Sequence, residues 1–307
     1  MSAIKGVPHP FPYQGSKRQL ASDILALIPH SIKTFHEPFA GSAAITIASA
    51  YRERARNFLI NDFHAPIAKL WKEIIFRPKS LCENYASLWN KQLGRDRKFY
   101  DEVRDLFNET GEPHYLLYLL ARCVKAAIRY NSNGEFNNSP DKRRLGMKPE
   151  TMRKNIFLVS DILKNRTKIT NQDYKDTLQA VKKGDFVYMD PPYQGVCNVR
   201  DHRYCESVDY DEFCEQLNLL NHKGIDYIVS YDGRTGDKTY GKEIPKELFL
   251  LKIEIRVGRS TQATLLGRKE YTYESLYISP SLAQKIEEIP MVPLHEESYP
   301  LFCEMGS

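Results

Sequence analysis

Val187-Tyr188-Met189-Asp190-Pro191-Pro192-Tyr193 decides how this chain is read. Val187, Tyr188 and Met189 are apolar and strand-compatible, and Gly184-Asp185 marks a turn before them. The two prolines then end the ladder, because neither has an N–H to donate. The proline after Asp190 biases that residue to an extended conformation. A carboxylate, a backbone carbonyl and an aromatic ring therefore gather at the carboxyl end of a strand. In open α/β sheets that is where ligands bind. The competing reading is a plain strand end followed by a Pro-Pro loop.

The trio suits an exocyclic amine on a flat heteroaromatic base. Such an amine is a poor nucleophile, because its lone pair is delocalised into the ring. Two acceptors on its hydrogens, Asp190 and the Pro191 carbonyl, draw the nitrogen toward tetrahedral geometry, and Tyr193 can stack on the ring.

Working outward, Tyr13-Gln14-Gly15-Ser16-Lys17-Arg18 forms a polar loop before an amphipathic run from Gln19 to Ile28. Backbone amides at a helix start together with Lys17 suit an anion or carboxylate, and a solvated basic loop is the rival. Glu37-Pro38-Phe39-Ala40-Gly41-Ser42 follows a strand and leads into small apolar residues, Ala43 to Ala50, so the helix can lie close to a sheet. This is the opening βα unit of a nucleotide-binding fold or an ordinary βα turn; without a full G-x-G-x-x-G no dinucleotide is implied. Asp62 ends a second strand, about 20 residues after the glycine turn, where an acid holds ribose hydroxyls. It also suits an N-cap for the helix from Ala65 to Ile75. Asp173-Tyr174 closes a further strand-like segment and can bind and cover an adenine ring or form a surface turn.

From Arg77 to Pro149 helical periodicity replaces strand signals. The run Tyr115 to Arg129 predicts a helix with Arg122, Lys125 and Arg129 on one stripe. Asn131, Asn133 and Asn137 follow in an amide-rich loop, with Arg143, Arg144 and Lys148 beyond. Cations, amides and aromatics are what a phosphate- and base-contacting surface needs, although a solvated basic face has the same composition. We expect this region to be an insertion that recognises nucleic acid. The polar stretch from Gln194 to Asp209 reads as a lid or as a surface connection. Strands are expected at Tyr227–Gly233, Leu248–Ile255 and Ser275–Ile278, with a basic loop from Arg256 to Gln262 between the last two.

Composition bounds the classes. The 307 residues allow one large domain or a domain with an insertion. Hydrophobic content of 42% with 27% charged residues is that of a globular protein. A net charge of +5 is compatible with a polyanionic partner without requiring one. No run reaches the ~18–20 apolar residues of a membrane span, and the N-terminus lacks a signal-peptide core, so a cytoplasmic protein with free thiols is expected. Cys197, His202 and Cys205 have irregular spacing and no fourth ligand, so no metal is expected.

Taken in order, these motifs resemble the Dam-like, alpha-group DNA adenine-N6 methyltransferases over roughly residues 8–280. Asp190-Pro191-Pro192-Tyr193 matches the family's catalytic signature. Tyr13 to Lys17 is similar to its N-terminal cofactor motif. Glu37, Pro38, Phe39, Gly41 and Ser42 resemble its methionine-binding turn, with serine and alanine where further glycine is common. Asp62 is similar to its ribose-binding acid, and Asp173-Tyr174 to its adenine-binding pair, with tyrosine for the usual phenylalanine. Arg129-Tyr130-Asn131 through Gly134-Glu135-Phe136-Asn137 is the most distinctive match. Arg203-Tyr204 also fits, and Arg259-Ser260 with Arg268 resembles a late basic motif. Ser230-Tyr231-Asp232-Gly233 departs from the familiar Dam form, so Dam's own target sequence does not transfer.

The resemblance implies a Rossmann-like α/β sheet with a reversed last strand, split into residues 1–76 and 151–280 around a helical target-recognition insertion at 77–150, with a tail at 281–307. It implies S-adenosylmethionine as methyl donor, S-adenosylhomocysteine as product, and an adenine flipped out of double-stranded DNA, a rotation the chemistry also requires. The expected setting is the cytoplasm of a prokaryote or a phage host, as a solitary enzyme or beside a cognate restriction endonuclease, as a monomer or weak dimer. Cytosine-N4 methylation and a catalytically silent DNA-binding protein on the same scaffold are the alternatives.

Overall fold

The computed structural model describes residues 4–192, 208–235, 238–240, 242–259 and 271–287. Its sheet is built from β1 (Ile32–Glu37), β2 (Ala55–Asn61), β3 (Thr167–Thr170), β4 (Phe186–Met189), β5 (Asp226–Thr235), β7 (Leu251–Arg259) and β8 (Tyr271–Ile278), in the order β3-β2-β1-β4-β5-β8-β7. A short β6 (Lys238–Tyr240) pairs with β5 off this path. The first five strands in that order pair in parallel. Strand β8 runs antiparallel to both β5 and β7, so the last strand is the reversed one. This is the sheet that the resemblance implies.

Strand β4 is central and buried along its whole length, as its uninterrupted apolar run requires of a parallel strand covered on both faces. Alternation divides the core between the faces. Phe186, Tyr188, Ile228, Leu276 and Ile278 pack on one side with α1 (Ala21–Leu27), α2 (Ala44–Tyr51) and α3 (Ala65–Phe76). Val187, Met189, Tyr227, Val229 and Tyr277 pack on the other, with α8 (Tyr174–Gln179) and α9 (Tyr210–His222). The small residues of α2 let it lie flat on the sheet, and every residue from Ala44 to Ala50 is buried.

The helical segment comprises α4 (Pro78–Lys91), α5 (Asp96–Thr110) and α6 (Pro113–Arg122), and α7 (Pro149–Leu163) packs back on α3 and α4. Tyr85, Tyr100 and Tyr118 are fully buried here, and their cluster is continuous with the core on the α2 side of the sheet. A last helix, α10 (Pro280–Glu287), follows β8. No described helix is long and apolar enough to cross a membrane. Among the described residues no group of three His, Cys, Asp or Glu could hold a metal ion; Cys197, His202 and Cys205 lie outside them.

Two expectations are corrected. The helix predicted from Tyr115 to Arg129 stops at Arg122, and Arg122, Lys125 and Arg129 share no stripe. Cys123 turns extended, and Lys125 and Ala126 are left-handed at φ 58° and 51°. Tertiary bonding overrides the helical pattern: Asn138 donates through Nδ2 to the carbonyls of Val124 and Ala127, and Val124 N–H donates to the Ser139 carbonyl. The basic loop predicted to begin at Arg256 is instead strand through Arg259, because β8 starts earlier, at Tyr271, and supplies a ladder partner.

Candidate active site

The carboxyl ends of β1, β2, β3 and β4 open into a cleft of about 610 Å³. Asp190 lines it at the end of β4. Its Oδ1 accepts a hydrogen bond from Lys17 Nζ at 2.8 Å, and the same ammonium lies 3.2 Å from Glu274 Oε1. Burial raises the Asp190 carboxyl to about 6, with Lys17 pulling it down and Glu274 pushing it up. Burial alone would depress the Lys17 ammonium, but Asp190 and Glu274 outweigh it and hold it above its ordinary value. Behind Asp190, the Tyr188 phenol and the Ser230 hydroxyl share a 2.7 Å hydrogen bond. Pro191 is buried and Pro192 half-buried on the cleft wall.

The turn after β1 is held from several sides. Helix α2 is preceded by Ala43 at its N-cap, left-handed at φ 45° and with no side chain to cap the helix. Glu37 supplies the acceptor instead, taking the Thr46 N–H at 2.9 Å. Burial pushes this carboxyl up to about 8 against that hydrogen bond. Gly41 has φ 46°, and a Cβ there would stand 2.8 Å from the Tyr13 ring, so the position requires glycine twice over. Its N–H donates to Asp62 Oδ2 at 2.8 Å, and its carbonyl accepts from Trp71 Nε1 at 2.8 Å. Asp62 Oδ1 also takes the His64 N–H at 2.9 Å, and burial lifts this carboxyl to about 6. Ser42 donates to Ser16 at 2.8 Å, which joins the turn to the N-terminal loop.

Asn61 is fully buried at the end of β2 and uses its whole amide. Its Nδ2 donates to the carbonyls of Pro38 and Gln172, and its Oδ1 accepts from Thr170 Oγ1 and the Gln172 N–H. Three strand ends are thereby fixed together. At the other end of the cleft, Asp173 caps α8 by accepting the Lys175 N–H, and the Tyr174 ring packs on Phe39 and Phe213.

The far wall comes from the helical segment. Ala126 accepts the Gln14 N–H at 3.0 Å, and Tyr130 bonds His64 Nε2 at 2.6 Å. Burial lowers the His64 imidazole to about 4, so it is neutral at pH 7.

Tyr13, Lys17, Glu37, Pro38, Phe39, Gly41, Ser42, Asp62, Asp173, Tyr174 and Asp190 all line this one cleft. The expected nucleic-acid residues are more divided. Lys125, Asn133, Asn137, Arg143 and Arg144 are exposed, and Arg129 is half-buried. Arg143 and Arg144 both pair with Asp141. Asn131 Oδ1 accepts the N–H groups of Asn133 and Glu135, so this side chain folds its own loop. Arg122 is corrected: it is buried, and its guanidinium donates to the Arg144 carbonyl, which makes it a support beneath the surface. Tyr193, Arg203, Tyr204, Ser260 and Arg268 lie outside the described residues, as does the Arg259 side chain.

Sequence reasoning missed Glu274, His64 and Trp71. Glu274 left one signal: it shares the strand parity of Leu276 and Ile278, an acid on a core face. His64 and Trp71 left none, because a histidine after a strand and a tryptophan in an amphipathic helix are commonplace.

The family model that matches residues 13–258 is that of the D12 class N6 adenine-specific DNA methyltransferase. The chain is 28% identical over 83% of its length to the Type II methyltransferase M1.LlaDCHI of Lactococcus lactis subsp. cremoris, covering 90% of that protein. It is 28% identical over 59% of its length to the Type II methyltransferase M.MjaIII of Methanocaldococcus jannaschii, covering 68% of it. It is 25% identical over 59% of its length to the DNA adenine methylase of Serratia marcescens, covering 65% of it.

Proposed function

This chain belongs to the D12 class of N6 adenine-specific DNA methyltransferases, and from that premise we propose how its cleft carries out the reaction. S-adenosylmethionine, when bound, supplies a methyl group on a sulfonium centre. The cleft fits it: about 610 Å³ is within the usual ligand range. The missing Cβ of Gly41 lets the Tyr13 ring close against the turn, so that both line the cleft together. Tyr13, Lys17, Glu37 to Ser42, Asp62 and the Asp173-Tyr174 pair are the residues that would hold it.

Asp190 accepts one N6 hydrogen of a flipped-out adenine and the Pro191 carbonyl accepts the other. Together they aim the nitrogen lone pair. Sulfur leaves neutral, so no acid serves the leaving group, and catalysis is positioning and electrostatics. Ionised at neutral pH, Asp190 can receive the proton that the amine sheds once methylated. The helical segment at 77–150 is the part that reads double-stranded DNA, with Lys125, Arg129, Asn133 and Asn137 on its surface. Tyr193, Arg203, Tyr204, Arg259 and Ser260 keep their expected roles as proposals. Pairing with a restriction endonuclease fits the Type II names of the relatives and belongs to the same reading.

The observation that carries this is Asp190 itself. It is a carboxylate at the end of the central strand, tethered by Lys17 on the same cleft as the Gly41 turn. The test is methyl transfer from labelled S-adenosylmethionine to mixed-sequence duplex DNA, with digestion and mass identification of the nucleoside. N6-methyladenine is expected. N4-methylcytosine, or no product with cofactor bound, would overturn it.

A further inference from the structure

Lys17 is a long, rotatable side chain whose ammonium offers three donors. Two carboxylates from different strands fix it, Asp190 at 2.8 Å and Glu274 at 3.2 Å. All three side chains are largely buried, at 12%, 22% and 16% exposure for Lys17, Asp190 and Glu274. Glu274 reaches this place through the reversed strand. It stands opposite Gly233 on β5 and Ile255 on β7, just past the register shift that follows Ser230. Such a bulge re-aims the strand next to a site.

We propose that Glu274 is a positioning residue for methyl transfer: by drawing on the charge of the Lys17 ammonium that is already hydrogen-bonded to Asp190, it keeps that carboxylate from being fully neutralised and so leaves it an effective acceptor for the adenine amine. This rests on the reading of Asp190 given above. A carboxylate that a lysine neutralises completely accepts poorly from a third group. A carboxylate with no lysine is left as an uncompensated buried charge. The second carboxylate sets the balance between these extremes.

Asp190 is faced by Lys17 from the N-terminal turn, Glu274 from β8, Tyr188 from its own strand with Ser230 bonded to it from β5, and Glu37 from the end of β1, on which Asp62 also acts. Glu274→Gln removes one charge and keeps the shape. The negative charge that opposes Lys17 at Asp190 is then gone, which makes Asp190 harder to protonate.

The experiment compares kcat, cofactor Kd and the pH profile of kcat for the parent, Glu274→Gln and Glu274→Asp, per mole of folded protein. Glu274→Gln should lower kcat by about 10–100-fold, leave cofactor Kd within about twofold, and move the acid limb of kcat to lower pH. Glu274→Asp, which restores the charge on a shorter arm, should recover part of kcat. A purely structural glutamate would cost thermal stability with kcat and the acid limb unmoved, and that result overturns the proposal. If Glu274→Gln does not fold, Glu274→Asp decides: parental kcat and acid limb overturn the proposal, and a reduced kcat with unchanged Kd supports it. A parent with no methyl transfer at all would instead overturn the reading of the site beneath it.

Discussion

His64 Nε2 and the Tyr130 phenolic oxygen lie 2.6 Å apart, so the loop after β2 is tied directly to the opposite wall of the cleft. The pair spans the sheet and the helical segment, and its tilted rings are 5.5 Å apart. A double-mutant cycle of His64→Phe and Tyr130→Phe should give a coupling energy of about 0.5–1.5 kcal/mol in urea unfolding. Additive single effects would show that the hydrogen bond contributes nothing net.

Asp190→Asn keeps the shape of the proposed acceptor carboxylate and removes its charge. We expect kcat to fall by about 10³-fold, the scale of losing a directed electrostatic contact, with DNA affinity retained. Single-turnover methylation and a DNA-binding titration separate the two. Activity within tenfold of the parent would refute the assigned role.

The pH dependence of stability isolates Glu37. Its carboxyl is raised to about 8 by burial, so its contribution is fully present below its ordinary value and is lost as pH rises through 8. The buried histidines His9, His36 and His64 are shifted the other way. Their contributions are present above about 6.5 and lost as pH falls. Asp62 and Asp190, raised to about 6, have mostly ionised by pH 6.5. Between about pH 7.5 and 8.5, where the unfolded histidines have also lost nearly all their protons, the slope therefore belongs mainly to Glu37: stability should fall with rising pH, by at most about 1.4 kcal/mol per pH unit. Thermal unfolding of the cofactor-free protein checks this. Glu37→Gln, which still accepts the Thr46 N–H, should flatten the slope.

Lys125 and Arg122, three residues apart, should behave oppositely. Exposed Lys125 is expected to touch phosphate, so Lys125→Ala should weaken DNA binding on all sequences and reduce the salt slope by about one. Arg122→Ala should instead cost about 2 kcal/mol of stability, because it removes a buried support. Equal salt slopes for parent and Lys125→Ala would remove that residue from the interface.

Asn61→Asp tests the strand-end clamp. A carboxylate cannot donate to the Pro38 and Gln172 carbonyls, and an unsatisfied buried charge should cost about 3 kcal/mol or more. A chemical-denaturation midpoint equal to the parent's would show that the clamp is redundant.

Much of this architecture was readable from the chain because local pattern and burial agree. Val187 to Met189 is apolar without a break and became the central strand, and Ala43 to Ala50 is small and became the helix closest to the sheet. Asp190, Gly41 and Asp62 end strands or fill turns, where the sequence carries local punctuation. The readings failed where distant partners decide. Nothing near Cys123 says that Asn138 will capture the backbone and end α6, and nothing near Tyr273 says that its neighbour will meet a lysine from the N-terminal turn. Strand parity marks Glu274 as an acid on a core face but does not name its partner.

The reversed strand also sets a schedule. Lys17, Asp190 and Glu274 leave the ribosome in that order, and Lys17 and Asp190 are already 173 residues apart. A nascent chain can shape the Gly41 turn, the parallel strands and the Lys17–Asp190 pair well before Glu274 exists. Until β8 slides between β5 and β7, both of those strands also present a bare edge. The last slat to be inserted thus closes the sheet and brings the second carboxylate to Lys17 in one event. On the reading proposed for Glu274, competence to methylate arrives with the finished sheet, and a chain that stops before β8 would hold Lys17 and Asp190 without their third partner.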